Sequence, residues 1–168
     1  MERRAHDSLH DRLARVQLLC LDVDGVLTDG HLYWAGPGVF SQRFSVKDGV
    51  GIKLLEGTGV TVAILSAGDI QSGRDRAKSL GLQHAYFGLA DKVQRWSELI
   101  ASLALTPEQT AFMGDELSDL PLLRKAGVSF TVPDAPDEVR AAVDFVAHRP
   151  GGDGAVREVT DLLRGARG

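Results

Sequence analysis

A single cysteine in 168 residues, Cys20, excludes a disulfide framework and a thiolate metal cluster. It lies inside an apolar run, where a lone thiol behaves as a small hydrophobe. No apolar stretch approaches the ~20 residues that a membrane-spanning helix needs. The N-terminus has no apolar core of the kind a signal peptide carries. Excess positive charge is missing too: the formal net charge is −4, so nothing draws the chain generally to nucleic acid or an anionic membrane. The histidines, His6, His10, His31, His84 and His148, show no metal-ligand spacing. These absences point to a cytoplasmic protein with neither nucleic acid nor membrane as a partner.

What is present is ordinary in bulk. A hydrophobic content of 43% with 25% charged residues suits a globular chain, and the length suits one domain with a proper core. Residues 1–15 mix Arg3, Arg4, Arg12 and Arg15 with Glu2, Asp7 and Asp11, and this mixture of signs argues against a transit peptide. They are read as a solvated, partly helical N-terminal extension, which leaves 16–168 as a single domain.

The most informative stretch is Leu18-Leu19-Cys20-Leu21-Asp22-Val23-Asp24-Gly25-Val26. It opens as an apolar run, the signature of a strand buried on both faces, and ends in two carboxylates two residues apart. Side chains alternate along a strand, so Asp22 and Asp24 can lean to the same side at its carboxyl end. Two acids so close repel unless neutralised, and an oxygen-only ligand set favours Mg²⁺. A bare Asp-x-Asp can also be nothing more than a strand followed by an Asp-Gly turn.

Downstream, His31–Trp34 and Val39–Phe44 flank Ala35-Gly36-Pro37-Gly38, a hairpin signal. The hairpin leaves the first strand on the side where the carboxylates emerge, so it serves either as a flap over them or as an ordinary part of a sheet. Strand and helix patterns then alternate. A helix carries Ile52, Leu54 and Leu55, and a strand runs from Val60 to Leu65 and ends at Ser66. A helix follows from about Ile70 to Leu80, then a short strand near His84–Phe87 and a helix starting at Lys92. Thr110–Met113 is another apolar run, closed by Gly114-Asp115, and the alternation continues to a last amphipathic helix at Val156–Leu163. The pattern predicts an α/β fold: a Rossmann-like, three-layer parallel sheet with helices on both faces. In such sheets the ligand sits beyond the carboxyl ends of the strands, where Asp22, Asp24, Ser66 and Asp115 gather.

Those residues supply what phosphoryl transfer needs. Asp22 can accept a phosphoryl group as an acyl phosphate, and Asp24 can protonate the leaving alcohol and then deprotonate water. Mg²⁺ between Asp22 and Asp115, with the Lys92 ammonium, can neutralise the transferring oxygens. Ser66, with N–H groups at the helix start beyond it, can hydrogen-bond them. Asp119 can bind the metal through water or orient Lys92. Taken singly, Ser66 can be a helix cap, Lys92 a solvated first-turn lysine and Asp115 a turn residue. Their order and their positions at strand ends are what carry the reading.

Asp22-Val23-Asp24-Gly25-Val26, the strand ending in Ser66, Asp91-Lys92, and Gly114-Asp115 with Asp119 resemble the haloacid dehalogenase superfamily, and the resemblance covers nearly everything from Val16 onward. It implies a nucleophile at Asp22, an acid/base at Asp24, and Mg²⁺ held by Asp22, the backbone carbonyl of Asp24, and Asp115. An Asp at position 24 implies a phosphatase. Asp22 to Gly30, the hairpin, Lys47-Asp48-Gly49-Val50-Gly51-Ile52 and Gly151-Gly152-Asp153-Gly154-Ala155-Val156-Arg157-Glu158-Val159 are similar, more closely, to 3-deoxy-D-manno-octulosonate 8-phosphate phosphatases of lipopolysaccharide sugar biosynthesis. Phosphatases of nine-carbon, sialic acid type keto sugar acid phosphates share the pattern. This resemblance adds Ala67, Asp48, Arg76 and Thr28 to Ser66 as substrate or phosphate contacts, though Arg76 can equally be a surface salt bridge. Many of these phosphatases follow the Ser or Thr with Gly-Arg, whereas this chain has Ala67-Gly68.

Only about forty residues separate Asp24 from Ser66, and fewer separate Ser66 from Lys92, so neither gap holds a cap domain. A capless site lies open to water unless a neighbouring chain covers it. The expectation is a homo-oligomer, a tetramer by resemblance, with hairpins at its centre. The Gly151–Gly154 segment is then either near a neighbour's site or a flexible linker. Two readings of another class stand beside the enzyme. A receiver-type signalling domain also carries a phosphorylated Asp, a metal and a Lys, but has no use for Asp24 or the hairpin. A silent assembly domain would keep the fold with a damaged site.

Overall fold

Leu18–Leu21 form β1, and all four side chains are buried because the strand lies in the middle of the sheet. The computed structural model describes residues 7–168. β1 pairs in parallel with β4 (Thr61–Leu65) on one side and β6 (Thr110–Met113) on the other, with Leu21 opposite Ile64 and Met113. Outward from these lie β5 (His84–Tyr86), and β7 (Val128–Thr131) followed by β8 (Phe145–Val146), giving the order β5-β4-β1-β6-β7-β8. The chain winds outward from β1 to β5, then returns past β1 to β6. The carboxyl ends of β1, β4 and β6 therefore face one crevice at the point where the winding reverses.

Helices α1 (Leu9–Ala14) and α2 (Val46–Glu56) each pack against α7 (Ala155–Ala166). A second group joins α4 (Lys92–Ser102), α5 (Leu120–Lys125) and α6 (Asp137–Ala142), while α3 (Gln71–Ser79) lies beside the hairpin. Right-handed crossovers in opposite directions from β1 place such groups on opposite faces. The three-layer α/β architecture is as the alternation predicts. Local chemistry marks the helix starts: Ser45 caps α2 through the Lys47 N–H, and Asp91 caps α4 through the Gln94 N–H. Within the stretch read as a solvated extension, Leu13 is buried and Arg12 reaches the Gly127 carbonyl and Asp144. Residues 1–6 lie outside the described residues.

The hairpin is a separate two-stranded sheet, β2 (Tyr33–Gly36) with β3 (Val39–Ser41), shorter than its apolar runs suggest. Phe44 leaves the hairpin to bridge Thr28. No helix among the described residues is long and apolar enough to cross a membrane.

Candidate active site

The functional side chains lie at or just beyond strand ends or at a helix start: Asp22 and Ser66 directly follow β1 and β4, Asp24 and Asp115 lie in the loops after β1 and β6, and Lys92 opens α4. Asp22 follows β1 directly, and its N–H is tied to the Met113 carbonyl of β6 at 3.0 Å. One carboxylate oxygen, Oδ1, accepts from the N–H of Val23 at 2.8 Å and meets Lys92 Nζ at 3.0 Å. Lys92 opens α4, where its stem lies against buried surface and its ammonium reaches into the crevice. Its second partner is Asp119 Oδ1, at 2.7 Å. The other oxygen of Asp119 accepts from the N–H groups of Asp115 and Glu116, at 3.1 and 3.2 Å. Asp119 thus shapes the loop after β6 and holds Lys92 at once.

Asp22, Asp115 and Asp119 each offer a carboxylate oxygen within 4.8 Å of the others. Burial raises the Asp22 carboxyl first, Asp119 adds to it and Lys92 opposes it, leaving a pKa of about 6. Burial, then the charges of Asp22 and Asp119, push Asp115 to about 8. The Lys92 ammonium is disfavoured by burial, but Asp22 and Asp119 outweigh that and raise its pKa. Three carboxylates against one ammonium leave two negative charges, which a divalent cation matches, and the donors are hard oxygens of the kind Mg²⁺ takes. Both oxygens of Asp119 are already engaged, so the ligand atoms left facing the cluster come from Asp22 and Asp115.

Gly25 makes this approach possible. Its backbone is left-handed, with φ +81°, and a Cβ there would lie 1.9 Å from Asp115 Oδ2. The loop that follows is stapled by Thr28, whose hydroxyl accepts from the N–H groups of Gly25 and Gly30. From outside, Gly151 presses on the same loop so closely that a Cβ would sit 1.9 Å from the Gly25 carbonyl oxygen, and Gly152 donates to the Val26 carbonyl. The Gly151–Gly154 segment is therefore neither a loose linker nor free; Gly151, Gly152 and Gly154 are buried against their own chain.

Asp24 turns away from the acidic cluster. Its Oδ1 accepts from Gln42 Nε2 at 2.5 Å, and its Oδ2 lies where a side chain at position 68 would begin, 2.6 Å from an ideal Cβ on Gly68. Any metal contact from Asp24 is thereby left to its backbone carbonyl. Ser66 is buried at the end of β4, with Oγ beside the same Gly68, and exposed Ala67 follows it.

Three residues expected at the substrate make contacts within the chain's own scaffold. Thr28 is fully buried and spends its hydroxyl on the loop. Asp48, 1% exposed, accepts from the Arg157 N–H at 2.9 Å and so joins α2 to the start of α7. Burial raises its carboxyl, the N–H groups of Arg157 and Gly154 opposing. Arg76 donates to the Ser45 carbonyl at 3.2 Å and lies over the Phe44 ring. None of these contacts involves the acidic cluster. Conversely, Gln42 carries no signal in the sequence: it is one polar residue in a hairpin, and only the fold sets it against Asp24.

Residues 86–158 match a family model for haloacid dehalogenase-like hydrolases. Over 153 residues the chain is 42% identical to a 3-deoxy-D-manno-octulosonate 8-phosphate phosphatase of Salmonella typhi, a match spanning 91% of this chain and 81% of that protein. The Yersinia pestis protein of that name has been crystallised. Its structure superposes with a TM-score of 0.92 at 40% identity, covering 96% of this chain and 87% of that one. A Moraxella catarrhalis phosphatase of the same name, in complex with magnesium ion, phosphate ion and a KDO molecule, superposes with a TM-score of 0.91 at 34% identity, covering 94% and 91%.

Proposed function

The chain belongs to the 3-deoxy-D-manno-octulosonate 8-phosphate phosphatases of the haloacid dehalogenase-like hydrolases, and from that premise we propose that it releases phosphate from this eight-carbon keto sugar acid phosphate. The observation that carries the reading is the Asp22 carboxylate, buried at the crevice floor between Lys92 and Asp115. In the first step an Asp22 oxygen bonds to phosphorus. The bond from phosphorus to the sugar oxygen breaks, and that oxygen takes a proton from Asp24. In the second step water attacks the same phosphorus and gives a proton to Asp24. The acyl phosphate bond to Asp22 breaks, and inorganic phosphate leaves.

Lys92, Ser66 and the N–H groups of the loop at Ala67 hold the phosphoryl oxygens. Asp22, Asp115 and the Asp24 carbonyl would hold Mg²⁺, which would supply Lewis-acid neutralisation of those oxygens. Asp119 keeps Lys92 and the Asp115 loop in place.

The exposed side chains of Leu32, Tyr33, Trp34, Val39 and Phe40 on and beside the hairpin, with Val46 and Val50 on α2, support a homo-oligomer, a tetramer in our reading. We place the enzyme in the cytoplasm, where its substrate would be made. Mg²⁺-dependent phosphate release over a panel of eight- and nine-carbon keto sugar acid phosphates tests the proposal. The eight-carbon compound should give the highest kcat/KM. Preference for a nine-carbon compound would move the substrate. Absence of turnover with stable labelling of Asp22 by acetyl phosphate would point to a receiver.

A further inference from the structure

Asp24 is held by a two-link relay that spans the hairpin and α3. Gln42 Nε2 donates to Asp24 Oδ1, and Gln42 Oε1 accepts from Ser72 Oγ at 2.9 Å. With Asp24 ionised, this is the orientation of the amide that pairs both of its ends. An ionised carboxylate only accepts, so reversal would set the amide carbonyl oxygen against Asp24. On the far side of Asp24, an ideal Cβ on Gly68 would fall 2.6 Å from Oδ2, so the carboxylate as placed here lies in space that glycine leaves open. Gln42 and Gly68 thus fix the same carboxylate from opposite sides, one by a hydrogen bond and one by leaving space. Neither touches Asp22, Asp115 or Lys92 in any hydrogen bond of the site.

We infer that Gln42, oriented by Ser72, is a positioning residue for Asp24 in the phosphatase reaction, aiming the carboxyl group at the leaving oxygen and at the attacking water. The inference rests on Asp24 being the acid/base. A misaimed acid/base slows only steps that move a proton, and this separates positioning from general support of the fold. With an alkyl phosphate such as the sugar substrate, the leaving oxygen needs a proton. A p-nitrophenyl leaving group departs as the anion and needs none, so its first step should be spared while the water step is not.

The experiment compares Gln42→Ala, Ser72→Ala, Gln42→Glu and Asp24→Asn with the unmodified enzyme on both substrates, by steady-state and rapid-mixing kinetics. Gln42→Ala should lower kcat on the sugar phosphate on the order of tenfold, with KM little changed. On p-nitrophenyl phosphate it should show a burst of one nitrophenol per site before a slowed steady state. Ser72→Ala should follow in the same direction with a smaller loss. Gln42→Glu, which cannot donate when ionised, should not rescue. Equal losses in the burst rate and the steady state on both substrates, or no loss in Gln42→Ala while Asp24→Asn is inactive, overturn the inference alone. Full activity in Asp24→Asn overturns the reading beneath it. Thermal melts of each variant identify any that fails to fold; in that case Ser72→Ala, remote from Asp24 itself, carries the comparison.

Discussion

Lys92 and Asp119 form the buried ion pair on which the acidic crevice is built, 2.7 Å apart with Asp119 1% exposed. The pair is not isolated: the second oxygen of Asp119 takes two backbone N–H groups, and Lys92 also reaches Asp22. Removing Lys92 leaves buried acids without compensation, whereas removing Asp119 leaves Lys92 with Asp22 alone and two backbone N–H groups without their acceptor. Lys92→Met should reduce kcat by roughly 10²–10³-fold, as expected for loss of a group that stabilises developing charge. Asp119→Ala should do comparable harm by another route, since it frees both Lys92 and the Asp115 loop. It should also lower stability by about 1–3 kcal/mol in denaturant unfolding, since two backbone N–H groups lose their acceptor. If Asp119→Ala unfolds like the parent and keeps its activity, the pair is ornamental.

Gly25→Ala tests how closely Asp115 must approach the strand end. The added Cβ would collide with Asp115 Oδ2, and the left-handed backbone disfavours alanine as well. Magnesium affinity, measured by calorimetry, should fall at least tenfold. Gly151→Ala strikes the same loop from outside, through the Gly25 carbonyl. It should lower both stability and kcat, although residue 151 lies far along the chain from any acid. A Gly151→Ala enzyme with unchanged kinetics would show that the buttress is not needed.

The pH dependence follows from the crowding of acids. Without metal, Asp22 and Asp115 have folded-state pKa values raised to about 6 and about 8, from an ordinary 3.8. The folded chain therefore holds protons that the unfolded chain has released. Stability must fall as pH rises through this window, by up to about 1.4 kcal/mol per pH unit for each proton retained. The metal-free protein should melt at lower temperature at pH 8 than at pH 6. Added Mg²⁺ must displace those protons, so the rise in melting temperature it causes should be larger at pH 8. A metal-free melting temperature that climbs between pH 6 and 8 contradicts the assignment.

The apolar hairpin makes the fourth prediction. Trp34 is 70% exposed, and Phe40 pairs across from it. Trp34→Ser with Phe40→Ser should shift gel filtration from an assembly of about four chains toward the 18.0 kDa single chain, without loss of helical circular dichroism. An unmodified chain that elutes as a monomer at working concentration removes the oligomer from the account.

Much of the crevice was legible because strand ends in a parallel sheet converge, and the sequence marks both the strands and the polar residue after each. Asp22, Lys92, Asp115 and Asp119 needed no more than that to be brought together. The intrachain contacts of Thr28 and Asp48 were not legible, because a motif states which residues recur and not which way their side chains turn; both turn inward, to a loop and to a helix start. Gln42 was invisible for the opposite reason. Its contact with Asp24 joins residues 18 positions apart, from a hairpin and a strand end, and no local pattern encodes that meeting. The role of Gly151 likewise depends on a contact between the two ends of the chain.

The central claim is that Asp22 carries phosphate covalently during turnover, and chemical trapping tests it most directly. Asp24→Asn should stall the water step, so brief exposure with Mg²⁺ to p-nitrophenyl phosphate, whose leaving group needs no proton, followed by borohydride quench should convert Asp22, as its acyl phosphate, to homoserine. Peptide mass mapping should find that change at residue 22 and nowhere else. Homoserine at another aspartate, or phosphate release with every carboxylate unaltered under the same quench, would contradict the account.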